Sequence, residues 1–489
     1  GQTAIYGLSS NLGRLLNFVL LPLHTHVFLP EAMGVVTDLY ASVAFLNVLY
    51  TYGMETAFFR HVGDHGKKTF ETAASSLLLS STAFSLVLWF VKDSYATWFG
   101  YPEQGAYIGW LAIIVWIDAI LALPFARLRQ QNQAKRFATY RIISIVAMVF
   151  FNAFFLLLCK PVAEGSRFPS FQSSLGRLYS SEIGVGYIFL SNLLGNGLLL
   201  LVSLPAWRGY TLTIDRAIWK KMMLYALPIL LTGIAGIANE NLDKILFKAL
   251  LPDDFYADYN AQGALGVYGA NFKLSVFMML AIQAFRYAGE PFFFNQAKNK
   301  DAPELFAKVL HYFYLTGLVL FVGVSLNLDL LAQLFLRQKI YHDALFVVPW
   351  LLYAKLLFGV YVNLSIWYKL KYKTIYGTYI TVAGMAVTIL GDVLLIPRFG
   401  FMGAALANLA CYALMVVLCY WIGKRHFPVP YRFAPLLVHT LAAVILIYLV
   451  GFLPNWGVVI DGVLHLLIAL GYVGMLYLTE RKNLFRATP

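Results

Sequence analysis

Apolar residues in this chain come in long blocks, not in alternation. Fourteen windows of about 20 apolar positions, the length of one membrane crossing, recur from end to end: 5–29, 35–59, 70–91, 105–126, 137–159, 182–204, 222–250, 265–290, 304–327, 343–367, 374–396, 401–423, 433–453 and 458–478. Each is long enough to cross a hydrocarbon core of about 30 Å as a helix, which satisfies its own backbone there. The pattern predicts an all-α polytopic membrane protein of about 14 transmembrane helices, with no soluble domain left over. The first window has neither a basic n-region nor a small-residue cleavage site, so it reads as a retained helix rather than a signal peptide.

Composition agrees with the pattern. Of 489 residues, 60% are hydrophobic and 12% charged, and the mean hydropathy of +0.69 lies far outside the soluble range. The net charge of +13 would suggest nucleic acid in a soluble protein, but here its placement decides. Most of the basic residues fall in alternate loops, such as Arg127, Arg129, Lys135 and Arg136 after the fourth window and Lys369, Lys371 and Lys373 after the tenth. By the positive-inside rule these loops face the cytoplasm. The expectation is a multi-pass membrane protein with both termini cytoplasmic, and the basic excess requires no nucleic acid. Cys159, Cys411 and Cys419 show no metal-ligand spacing and read as small buried thiols.

The chain also repeats itself. "MGVVTDLYASVAFLNVLYTYGMETAFF" at 33–59 aligns with "LGVYGANFKLSVFMMLAIQAFRYAGEPFF" at 265–293, which pairs Gly34 with Gly266 and Glu55 with Glu290. Further on, Phe99 falls on Phe335 and Asn192 on Asn408, the offset shrinking where the loop after the fifth window is longer than its counterpart. Six helices per repeat is an even number, so both halves run through the membrane in the same sense, related by a pseudo-two-fold axis along its normal. The expected organisation is an N-terminal lobe at 1–210, a C-terminal lobe at 211–425, and two extra helices at 426–489. Such a duplication places a substrate path between the lobes and works by rocking one against the other.

Charges inside the windows point to that path. A Lys, Arg or Asp at a helix centre costs about 2.5 to 3.5 kcal/mol, so the deep ones are expected to face a cavity or one another. The segment "NENLDKILFK" at 239–248 stacks Glu240, Lys244 and Lys248 on one helical face, with Glu240 and Lys244 spaced for an i, i+4 pair and Asp243 beside them. Arg14 and Asn17 share a face in the first window, and Lys273 and Arg286 sit at opposite depths of the eighth. Arg14, Asn17, Lys244, Lys273 and Arg286 are therefore the candidate lining of a net-positive cavity suited to phosphate or diphosphate. Arg286 and Lys248 fit snorkelling to head groups as well, and Lys308 and Arg141 fit interfacial anchoring. Glu240, Asp243, Asp118, Lys355, Glu55 and Glu290 are candidates for ion pairs, coupling or gating. Asp118 and Lys355 occupy nearly equivalent repeat positions and suit either a bridge between halves or separate roles. Pro22 and Pro228 stand inside the first and seventh windows, where they permit bending. No nucleophile–base arrangement or metal cluster suggests an enzyme, and no P-loop suggests nucleotide-driven transport.

At "LLPLHTHVFLPEAMGVVTDLYA", "NLDKILFKALLP" and "LGVYGANFKLSVFMMLAIQAF" the sequence resembles the polysaccharide-transporter branch of the multidrug/oligosaccharidyl-lipid/polysaccharide exporter superfamily. Its relatives include the lipid II flippase and the multidrug and toxin extrusion transporters. The resemblance implies two six-helix lobes forming a V around a cationic cavity. It implies flipping of a polyprenyl-diphosphate-linked oligosaccharide by alternating access, in polysaccharide or lipopolysaccharide biosynthesis, with the lipid II flippase and a cation-coupled multidrug antiporter as alternatives. Asp243 and Lys244 match the acidic–basic pair that opens the second lobe in this family, and Arg14 matches its basic residue in the first helix. The last two windows match the helices that make a lipid-tail groove in the lipid II relatives. No cofactor is implied beyond a coupling ion, H+ or Na+. Partners are the lipid-linked oligosaccharide, membrane lipids, and a glycan polymerase or glycosyltransferase.

Overall fold

The computed structural model describes residues 18–485 apart from 168, 173–175 and 455, and among these residues the chain is helical without a strand. The principal helices are α1 (Pro30–Thr51), α2 (Lys67–Phe90), α3 (Gly105–Gln130), α4 (Ala134–Ala153), α5 (Gly186–Ser203), α6 (Arg216–Leu250), α7 (Ala261–Leu274), α8 (Val276–Gln296), α9 (Ala302–Leu326), α10 (Val348–Leu364), α11 (Ile375–Phe399), α12 (Phe401–His426), α13 (Phe433–Val450) and α14 (Val458–Phe485). Twelve helical stretches are long and apolar enough to cross a membrane, and α7 with α8 makes a thirteenth if the bent pair is one span. The first window, 5–29, lies largely outside the described residues, so a count of fourteen is not reached among them.

Local chemistry explains where helices bend and stop. Between α7 and α8 the axis turns by 42°. No proline or glycine sits at the break; the Ser275 hydroxyl instead donates to the carbonyl of Phe272 at 2.7 Å, competing with the backbone ladder. In contrast α6 runs on through Pro228, where the Thr232 hydroxyl donates to the Pro228 carbonyl at 3.0 Å. Between α11 and α12 the whole turn is Gly400, at φ +52°, a conformation other L-residues rarely adopt.

The chain divides into two compact units. The first is built on Val35–Asn241, and the second joins Leu21–Gly34 to the residues from Leu242 onward. Both divisions fall inside helices, α1 and α6, rather than in loops. In the first unit, Phe58, Phe70, Leu77 and Met222 form a buried core with Leu123 and Ala126, and a second core joins Ile117, Phe125 and Phe137 to Leu199. Within the second unit, the start of α1 crosses α7 at backbone contact. A Cβ added to Gly34 would stand 2.0 Å from the Gln262 carbonyl oxygen, and one added to Gly266 would stand 1.9 Å from that of Pro30. Pro30 and Gln262 are separated by the same interval as Gly34 and Gly266, 232 residues, so each glycine meets the carbonyl equivalent to the one beside its partner. The contact has the reciprocity of a two-fold axis, and it explains why both repeats carry glycine there.

Candidate functional site

The second unit holds a buried polar cluster built by α6, α7, α10, α11 and α12. Successive residues of α6 bring in Asp243 and Lys244, both buried. Lys244 Nζ lies 3.1 Å from Asp243 Oδ1, and the same oxygen accepts the Lys244 backbone N–H at 2.9 Å. The Tyr268 hydroxyl of α7 donates to Asp243 Oδ2 at 2.7 Å. One turn on, the Phe272 ring lies 3.4 Å from Lys244 Nζ and 4.8 Å from Lys355 Nζ of α10, so one aromatic ring serves two cations. Tyr412 of α12 offers Lys355 a second ring at 5.2 Å. An ammonium ion is attracted to the negative face of such a ring, most strongly when both are shielded from water, as here. Asn271 braces the wall, its amide donating to the carbonyls of Val267 and Tyr341.

Asp392 completes the cluster. It is wholly buried on α11, within electrostatic reach of Asp243 and Lys244, and neither of its carboxylate oxygens has a hydrogen-bond partner among the described residues. A buried carboxylate without donors is costly as an anion unless a cation stands near it, and Lys244 is a cation within electrostatic reach. Asp392 is an intramembrane acid that is not among the candidate site residues drawn from the sequence. The signal that could have promoted it is its solitude in the apolar window 374–396.

The other predicted residues separate into distinct places. Lys273 stands half-buried at the α7–α8 break. Arg286 lies beyond it on α8, 3.9 Å from Glu290, which also pairs with Lys369 at 2.7 Å. Arg286 is thereby held at a half-exposed ion pair, apart from the buried cluster, because it occupies the far half of a bent helix. In the first unit Glu55 pairs with Arg129, and Asp118 accepts a hydrogen bond from Asn196 at 3.4 Å. Nearby, Asn192 donates to the Tyr40 hydroxyl at 2.9 Å. Asp118 and Lys355 thus each find partners in their own unit. Glu240 lies on α6 in the first unit, one turn before Lys244. Arg14 and Asn17 lie outside the described residues.

Residues 27–161 match a family model described as polysaccharide biosynthesis protein. By sequence, no curated protein matches the chain. Among solved structures, the lipid II flippase MurJ in an inward closed conformation aligns at a TM-score of 0.70 and 13% identity, covering 97% of this chain and 98% of that one. An inward-facing multidrug resistance MATE family transporter of the MOP superfamily aligns at 0.63 and 13% identity, covering 84% and 94%. An outward-facing conformation of a multidrug resistance MATE family transporter aligns at 0.60 and 13% identity, covering 86% and 94%. The chain is therefore a polytopic helical membrane protein with the fold those transporters share.

Proposed function

We propose that this protein is a flippase that moves a polyprenyl-diphosphate-linked oligosaccharide from the cytoplasmic to the outer leaflet of a bacterial inner membrane. The two repeats, at 1–210 and 211–425, act as lobes that rock in alternating access, with both termini cytoplasmic. The observation that carries this reading is the pair of buried cations, Lys244 and Lys355, gathered on the ring of Phe272. Deep cations are expensive in a membrane and mark substrate or ion paths, and ammonium groups bind phosphate as point charges. By sequence, Arg14 and Lys273, with the polar Asn17, belong to the same proposed lining. The matched family's description as polysaccharide biosynthesis protein supports a glycan cargo.

Coupling is assigned to the carboxylates Asp243 and Asp392. A proton or Na+ entering at Asp392 changes the charge balance around Lys244 and so changes what Lys244 is free to bind. The same two carboxylates favour one second reading, cation-coupled drug export, because a carboxylate-lined site suits a cationic cargo. Two measurements separate the readings. Mass spectrometry of lipids co-purifying with the protein should find a polyprenyl diphosphate glycan. In liposomes, Lys244→Ala and Arg14→Ala should abolish flipping while both variants still insert and elute as folded protein. Normal flipping by both variants removes the cationic lining from the mechanism.

A further inference from the structure

Between α8 and α9, away from the buried cluster, lies a cavity of about 500 Å3. Its walls are almost wholly apolar, with Met278, Ala281 and Phe285 contributed by α8. From α9 come Lys308, Tyr312 and Thr316, spaced four apart and so stacked on one helical face over about 12 Å. Lys308 is the only charged residue of the lining. It is exposed, and it makes no ion pair or hydrogen bond among the described residues, although Glu304 stands one turn before it. It comes six residues after the start of α9, about 9 Å into a span that crosses the membrane.

We infer that this cavity is a binding site for an anionic, phosphate-headed lipid of the bilayer, its head group on Lys308 and one chain laid along the α8–α9 groove. Charge selects the occupant. A lone ammonium on an apolar trough leaves a positive charge uncompensated, on a side chain long enough to snorkel toward the lipid head groups. A phosphate bearing net negative charge neutralises it, while a zwitterionic head group brings its own cation and gains less. The trough holds the chain by contact with Ala281 and Phe285. The cluster on α6, α10 and α11 plays no part in this site, so the inference stands whatever the transported cargo is.

The full-length protein in detergent, titrated with phosphatidylglycerol or phosphatidylcholine of matched chains and read by native mass spectrometry, tests the assignment. Wild type should retain phosphatidylglycerol in preference, and Lys308→Gln should lower that preference about fivefold, the factor expected for one basic residue at an anionic surface. Ala281→Phe, which fills the trough, should reduce retention of both lipids. Lys300→Gln, in the loop before α9, should leave the preference unchanged, and inorganic phosphate alone should not compete. The proposal falls if wild type does not discriminate between the lipids, if Lys308→Gln keeps the preference, or if Lys300→Gln lowers it equally. Competition by free phosphate would also overturn it, reducing the site to an anion-binding lysine without a lipid.

Discussion

The two units carry similar frames around different groups, the Asp118 carboxylate in one and the Lys355 ammonium in the other. In the first, the amide of Asn196 on α5 donates to the Asp118 carboxylate of α3, and the amide of Asn192 donates to the nearby Tyr40 hydroxyl of α1. In the second, the residue 232 positions after Tyr40 is Phe272, and those 216 positions after Asn192 and Asn196 are Asn408 and Tyr412. Lys355 stands one place beyond Ala354, the counterpart of Asp118 at the offset that pairs Phe99 with Phe335. Hydrogen-bond donors suit an anion and ring faces suit a cation, so each unit's neighbours fit the sign at its centre. Of these four aligned places three differ, Tyr40 against Phe272, Asp118 against Ala354 and Asn196 against Tyr412, while Asn192 stays asparagine at Asn408, so an acid-holding nest in one unit corresponds to an aromatic cage in the other.

The largest effect that would break this contrast comes from the pair beneath the cage. Asp243→Ala should destabilise the protein by about 3 kcal/mol, because it leaves Lys244 buried beside Phe272 without its acid and takes the acceptor from Tyr268. Asp118→Asn in the first unit should cost about 1 kcal/mol, since an amide keeps an acceptor for Asn196 and no buried ion pair is broken. Unfolding in mixed micelles measures both. Equal losses would mean that the two clusters are energetically alike and that the cage carries no special dependence on charge.

Next in size are changes to the rings themselves. Phe272→Leu removes the face on which both lysines rest and should cost about 1 to 2 kcal/mol, with flipping reduced more than stability. Tyr40→Phe installs in the first unit the residue the second unit has, and costs about 1 kcal/mol through loss of the bond from Asn192. If Tyr40→Phe impairs flipping as severely as Phe272→Leu, the first-unit cluster is equally part of the transport path.

The fold was largely legible in the sequence because membrane helices announce themselves by length and hydropathy alone. The repeat was legible too, since Gly34 and Gly266 persist for a steric reason that the α1–α7 crossing makes plain. Less of the site could be read. Spacing on α6 suggested Glu240 for Lys244, and the structure adds its chain neighbour Asp243, 3.1 Å from Lys244 Nζ, a partner that helical spacing does not encode. Asp392 belongs to the site because three dimensions bring α11 to α6, and nothing in the letters around Phe272 marks it as the ring that two lysines share. Arg286 shares a window with Lys273, but the bend at Ser275 lies between them, and its cause is one hydroxyl.

The smallest expected effect concerns a likeness between the units. Glu55 and Glu290 are repeat equivalents, and each binds a basic residue near the end of the helix two crossings on: Arg129 closing α3 in one, Lys369 just past α10 in the other. Both acids are more than a third exposed, so water and salt screen the pairs, and each should contribute no more than about 1 kcal/mol. Arg129 also lies over the Phe59 ring at 5.2 Å, which holds its guanidinium in place without the acid. Glu55→Gln should therefore shift the unfolding midpoint less than Glu290→Gln, and raising the salt concentration should shrink both shifts. If the acids are gates rather than clasps, the outcome differs in kind: both variants would keep wild-type stability yet change the flipping rate, and salt would alter the rate without moving the midpoint.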